Sequence, residues 1–200
     1  IVTMYLIGGN DRKTISAILG TTLGVLISGL SAWIFGLAAD IDGYNVSNIE
    51  TLVYLGQNTQ IKIGGLLFAG ILIASLGAVM DVAMSVSSAI AEIHDKSKTL
   101  GMKELFISGM HVGKDMMGTM SNTLILAFAG GSISVLVLDY AYNLPLRQII
   151  NSYSIGIEIM QGIAGSIGVI LTVPTTAFMA ALLYGAKRNI TVHSSQEDTQ

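Results

Sequence analysis

The stretch IGGLLFAGILIASLGAVMDVAMSVSSAIAE, residues 63–92, decides the fold. It is a long apolar run interrupted once by an acid, Asp81. Helical spacing gathers Gly70, Ala74, Gly77, Asp81, Ser85, Ser88 and Glu92 on one side. Leu72, Ile73, Leu76, Val79, Ala83, Val86 and Ile90 fall on the other. A small and polar stripe set against a greasy one suits a helix that crosses a bilayer while its polar face packs on protein or lines a cavity.

The rest of the chain supplies partners for such a helix. Of 200 residues, 52% are hydrophobic and 12% charged, with a mean hydropathy of +0.66. Soluble domains carry roughly 25% charged residues, about twice that share. Uncharged runs fill 14–39, 63–80, 116–138 and 159–186. A bilayer core needs about 20 apolar residues, which the second run reaches once Asp81 is carried inside the span. The expected fold class is all-α, a polytopic membrane helix bundle with four complete spans at about 14–39, 64–91, 119–138 and 156–184. Residues 1–188 form its transmembrane domain, and 189–200 read as a polar, disordered cytoplasmic tail.

The opening IVTMYLIGG is too short to cross and lacks the basic start and small-residue cleavage site of a signal peptide. It reads as a partial N-terminal span, the end of a preceding membrane segment. In the first complete span, Thr14 is a candidate N-cap, and Trp33 suits an interface. Gly20, Gly24 and Ser28 recur every four residues there, a flat strip for close helix approach. Residues 40–62 form the longest polar connection, with a short interfacial helix expected at 47–57. Residues 92–118 are too charged to span, and read as an amphipathic helix on the cytoplasmic surface. Pro145 is placed to open a short helix. Pro174 frees a carbonyl inside the fourth span, where Thr172 and Thr175 mark either a cavity or a packed kink.

The basic residues alternate. Arg12 and Lys13 precede the first span, Lys62 follows it, and Lys96, Lys98, Lys103 and Lys114 lie after the second. Arg147 follows the third, and Lys187 and Arg188 the fourth. By the positive-inside rule, the 92–118 loop and the C-terminus are expected on the cytoplasmic side of the membrane.

Asp81 is the first candidate for chemistry. An ionised carboxylate at the centre of a span costs about 2.5–3.5 kcal/mol on insertion scales. It lies eleven residues from Glu92, roughly 16 Å at about 1.5 Å per residue. Asp81, Ser85, Ser88 and Glu92, joined by Asn122 from the third span, are the expected proton, cation or polar-path residues. The alternative is a structural carboxylate bonded within the bundle. His111, Lys114 and Asp115 form a candidate inner-mouth group, or a solvated interfacial ion pair.

Other classes are disfavoured. With no cysteine there is no disulfide or thiolate chemistry. His94 and His111 lack metal-ligand spacing, and the ten methionines are scattered among aliphatic residues. A net charge of −3 without a basic cluster speaks against nucleic acid. No phosphate-binding, zinc-protease, nucleophile-elbow or dinucleotide pattern occurs. The expectation is therefore no enzyme, no metal and no cofactor. The expected partners are the lipid bilayer and other membrane proteins or a second copy of the chain.

Three segments, GAVMDVAMS (77–85), SGMHVGKDMMGTM (108–120) and SNTLILAFAG (121–130), carry a family likeness. Through them the chain resembles the YibE/F-like family of bacterial multi-pass membrane proteins. The resemblance implies that this is the C-terminal membrane portion of a longer architecture with an anchor and an extracytoplasmic region ahead of it. It also implies that Asp81, Ser85, Glu92, Gly109, Gly113, Lys114, Asp115, Gly118, Asn122, Thr123 and Gly130 fall on family motifs. Lys114 stands where the family pattern favours arginine, which keeps the charge and loses the bidentate fork. The function expected on these grounds is a permease or secondary transporter component, with a non-transporting scaffold or assembly factor as the alternative.

Overall fold

Gly9 adopts a left-handed φ of +66°, a conformation that a side chain would strain. In the computed structural model, which describes residues 2–39 and 63–197, this joint links α1 (Val2–Gly8) to α2 (Arg12–Ala38). The opening residues thus form a short helix beside α2, with Met4 buried and its sulfur accepting from the Thr21 hydroxyl at 3.8 Å. Asp11, in extended conformation, is the N-cap of α2. Thr14 instead donates its hydroxyl to the Gly8 carbonyl at 2.8 Å.

The remaining elements are α3 (Ile63–Lys96), α4 (Met102–Gly131), α5 (Ile133–Ala141), α6 (Leu146–Ile150) and α7 (Tyr153–Glu197). Among the described residues, three stretches are long and apolar enough to cross a membrane: Arg12–Ala38, Phe68–Lys96 and Tyr153–Gly185. The pair α4 and α5, bent by 41° at its break, makes a fourth when counted as one span.

Here the molecule departs from the sequence reading. The expected amphipathic helix within 92–118 is not a separate element, because α4 runs unbroken from Met102 to Gly131. Glu104 starts it by accepting the Gly101 N–H at 2.8 Å. Gly109 and Gly113 do not interrupt it; they are buried where Ile90 and Val173 press in. The expected straight span 119–138 is broken instead at Gly130-Gly131-Ser132, a composition that permits sharp bends. Both the N–H and the hydroxyl of Ser132 bond to the Phe128 carbonyl, at 3.1 and 3.2 Å. That double use of one acceptor favours bending. Pro145 does precede a short helix. α7 continues to Glu197 where a disordered tail was expected at 189–200, since 189–197 contain no glycine or proline to stop it. Residues 198–200, and 40–62 with the expected helix at 47–57, lie outside the described residues.

α7 is the centre of the bundle, in contact with α2, α3 and α4. The Gly20, Gly24, Ser28 strip of α2 is used as expected. Gly20 meets Thr176, Gly24 meets Thr172 and Val79, and Ser28 meets Gly168. Threonines flanking Pro174 turn back on their own helix: Thr172 donates to the Gly168 carbonyl at 2.6 Å and Thr175 to the Leu171 carbonyl at 2.9 Å. Their hydroxyls are used on the backbone around Pro174, through which α7 runs as one helix.

The core joins Val79, Val82, Val86 and Ile90 of α3 to Leu105 of α4 and Val169 and Val173 of α7. Over its second half this reverses the expectation for α3. Val79, Ala83, Val86 and Ile90 face inward, Ile73 and Leu76 stay exposed, and of the small and polar stripe Gly70, Ala74, Gly77, Asp81 and Glu92 are exposed and Ser85 and Ser88 half-buried. The reason lies in the partners. Close packing needs a small residue on only one side of each contact, and α2, α4 and α7 supply theirs through Gly24, Gly109 and Gly165.

Candidate functional site

Two helix ends meet the flank of α7 at one pole of the bundle. α2 starts there, α3 ends there, and Arg12 donates from Nη1 to the Leu183 carbonyl of α7 at 2.9 Å. The Lys13 carbonyl accepts from Ser16 at 2.9 Å and from Ser87 of α3 at 2.6 Å, locking α2 to α3. Around these ties opens a cleft of about 420 Å³. Asp11, Arg12 and Lys13 line it from α2, Ser88, Glu92 and Asp95 from α3, and Tyr184 from α7.

The cleft presents three carboxylates against two cations. Glu92 is further engaged by Lys96 at 3.0 Å, an exposed pair one turn apart, which contributes about 0–1 kcal/mol. Behind the cleft the rings of His94 and Tyr184 lie 5.0 Å apart and tilted by 47°. His94 Nδ1 is buried with no hydrogen-bond partner among the described residues. Such a mouth suits small hydrated ions or zwitterions. Among the described residues no group of three acidic or histidine side chains is placed to hold a metal.

The sequence candidates divide between this pole and the outer faces. Ser88 and Glu92 line the cleft. Asp81 does not; it is exposed on α3, with Ser85 half-buried one turn nearer the cleft. His111, Lys114, Asp115 and Asn122 are all exposed on α4, at spacings that put them along one outer face.

Two contacts fix how these sets align. Gly109 packs on Ile90, and a methyl on Gly165 would lie 2.7 Å from Leu124 and 3.7 Å from Ser75. Ile90 to Ser75 and Gly109 to Leu124 are equal steps of 15 residues, so the antiparallel helices run in register. Asp81 is then level with Gly118, Ser85 with Lys114, and Ser88 with His111. Asn122 is level with Gly77, eight residues from Ser85, or roughly 12 Å along the axis. The expected approach of Asn122 to the Ser85 and Ser88 turns is therefore not made.

The motif-bearing segments of α3 and α4 thus lie side by side. Residues 1–186 match the YibE/F-like protein family. The chain belongs to that family. The match runs from the short first helix through the whole apolar part of α7, so the YibE/F-like region includes every wall of the polar cleft. No curated protein and no solved structure matches the chain.

Sequence reasoning missed Asp11, Arg12, Lys13, Asp95 and Tyr184 as cleft residues. The alternating lysines and arginines carried the signal, because they put the starts and ends of these helices on one side. Glu158, at the beginning of α7, lies near the end of its span, where the insertion penalty of a carboxylate is small. It lines a second cleft, at the bend between α4 and α5.

Proposed function

We propose that this YibE/F-like chain is a non-catalytic permease or secondary transporter component, with a polar path along the outward faces of α3 and α4. The observation that carries the reading is the exposure of Asp81, midway along an apolar helix. A carboxylate there is costly in lipid, so the reading covers it with water or with another membrane protein. The centre of the bundle is filled by contacts such as Gly24 on Thr172, which supports a path at the face and not through the middle. Ser85, Ser88 and Glu92 continue the line toward the charged cleft, and Lys114 and His111 stand level with its lower half. With the lysine-rich side inward, the cleft and the C-terminus are cytoplasmic.

Asp81→Asn tests this in membrane vesicles that retain native partners. Dissipation of an imposed proton or cation gradient is read by a fluorescent dye. The expected result is loss of the flux conferred by the wild type at equal insertion. Unchanged flux in a correctly inserted variant sinks the reading.

One observation favours a scaffold instead. Among the described residues, a methyl at Gly70 or Gly77 would meet nothing within 4 Å, so α3 presents an open edge of small residues to them. Crosslinking from Gly77→Cys in native membranes should then capture a defined partner, and recovery of monomer alone counts against a scaffold.

A further inference from the structure

At the far pole, where α4 bends into α5, a cleft of about 310 Å³ lies against the beginning of α7. Ile125, Phe128, Leu136, Ile159 and Ile163 give it apolar walls, and Glu158 is its one charged residue. Glu158 has no ion-pair or hydrogen-bond partner among the described residues.

The bend creates this space. Turning at Ser132 swings α5 away from the line of α4, leaving Phe128 and Leu136 as opposite parts of one wall. Gly162 keeps the space open from α7, because a methyl there would stand 3.9 Å from both Ile125 and Phe128. A larger side chain would project into the cleft.

We propose that this cleft is a binding site for lipophilic monocations, bodies of aromatic or alkyl groups around a single ammonium- or phosphonium-type charge. Small-molecule sites are mostly apolar with a few convergent polar groups, and here the polar group is one carboxylate. A monocation complements Glu158 in surroundings of low dielectric. Apolar substituents meet the isoleucine and leucine walls, and Phe128 adds to the lining an aromatic ring, a group that attracts weakly hydrated cations. An acyl chain alone would fill the walls and leave the carboxylate unmatched. The proposal goes beyond the permease reading and needs no flux. It concerns a different pole of the bundle, so either one stands if the other fails.

The test is equilibrium binding of radiolabelled tetraphenylphosphonium to the purified chain in nanodiscs of zwitterionic lipid, corrected for empty discs. Radiolabelled tetraphenylborate, of the same shape and opposite charge, is measured in separate samples, because the two ions pair when mixed. Saturable binding of tetraphenylphosphonium at one site per chain is expected, with no saturable binding of tetraphenylborate. Glu158→Gln should weaken binding by at least about tenfold, a difference of roughly 1.4 kcal/mol, and Gly162→Leu should do so with the carboxylate intact. Equal saturable binding of the two ions, or full binding by Glu158→Gln, overturns the proposal in favour of a groove for lipid chains. Absence of saturable binding overturns it as well. The comparison of the two ions uses wild-type protein alone, so it decides the matter even where a variant fails to fold.

Discussion

The Thr176 side-chain oxygen of α7 rests directly on Gly20 of α2, so close that any side chain at position 20 would have to displace it. The hydroxyl has no hydrogen-bond partner among the described residues. A weak contact from the glycine Cα–H is the interaction this geometry allows. Two turns along, Ser28 stands in the same relation to Gly168. The α2–α7 seam is thus held by shape, as expected where lipid is as apolar as the helix and burial alone provides no drive.

Gly20→Leu should therefore destabilise the bundle by about 1–3 kcal/mol through overpacking. Gly70→Leu, at an open position of α3, should change stability by no more than about 0.5 kcal/mol. Thermal unfolding of both variants in one detergent checks the contrast. Equal losses would mean that the α2–α7 seam is not formed as described.

How far this was legible in the sequence depended on the kind of signal. The Gly20, Gly24, Ser28 strip was readable because three small residues at four-residue spacing have few other uses in a span. The inward face of α3 was not. The sequence pattern puts Gly70, Gly77 and Asp81 on the side that packs on protein or lines a cavity, and Val79, Val86 and Ile90 on the opposite, greasy side. Both faces satisfy helical periodicity, and the choice between them rests with glycines on other helices, which no local pattern reports. The junction of 92–118 with 119–138 failed for a related reason. Lys114 and Asp115 resemble the end of a surface helix, yet they sit on one exposed side of a helix whose other side carries Gly109, Gly113 and Leu124 into the core. Charge marks a face as readily as it marks an end.

The contact of Ile90 with Gly109 yields a second prediction. Ile90 is fully buried and belongs to the largest core cluster, so Ile90→Ala should cost about 2–5 kcal/mol. Gly109→Ala should also destabilise, since its methyl would collide with the Ile90 side chain. In the Ile90→Ala background that collision is removed, and the added methyl, left with only the 3.2 Å approach to the Ala177 Cβ, should cost less than it does alone. A double-mutant cycle by chemical or thermal unfolding should give a coupling of about 0.5–3 kcal/mol. Strict additivity would show that α3 and α4 are not aligned through this pair.

The absence of cysteine makes single-cysteine labelling the direct probe of the outward stripe. A thiol alkylates as its thiolate, and apolar surroundings suppress that form. Ser88→Cys, at the wall of the charged cleft, should react rapidly with a membrane-impermeant maleimide, and Val82→Cys, fully buried, should remain unreactive. Asp81→Cys separates the remaining possibilities because it shares its helix with both. If a polar path runs along α3, its rate should exceed that of Val82→Cys by at least about tenfold. A rate equal to that of Val82→Cys would place the stripe in lipid or under a dry protein partner. In that outcome Asp81 would act as a packing or recognition carboxylate, and the scaffold reading would take precedence over transport.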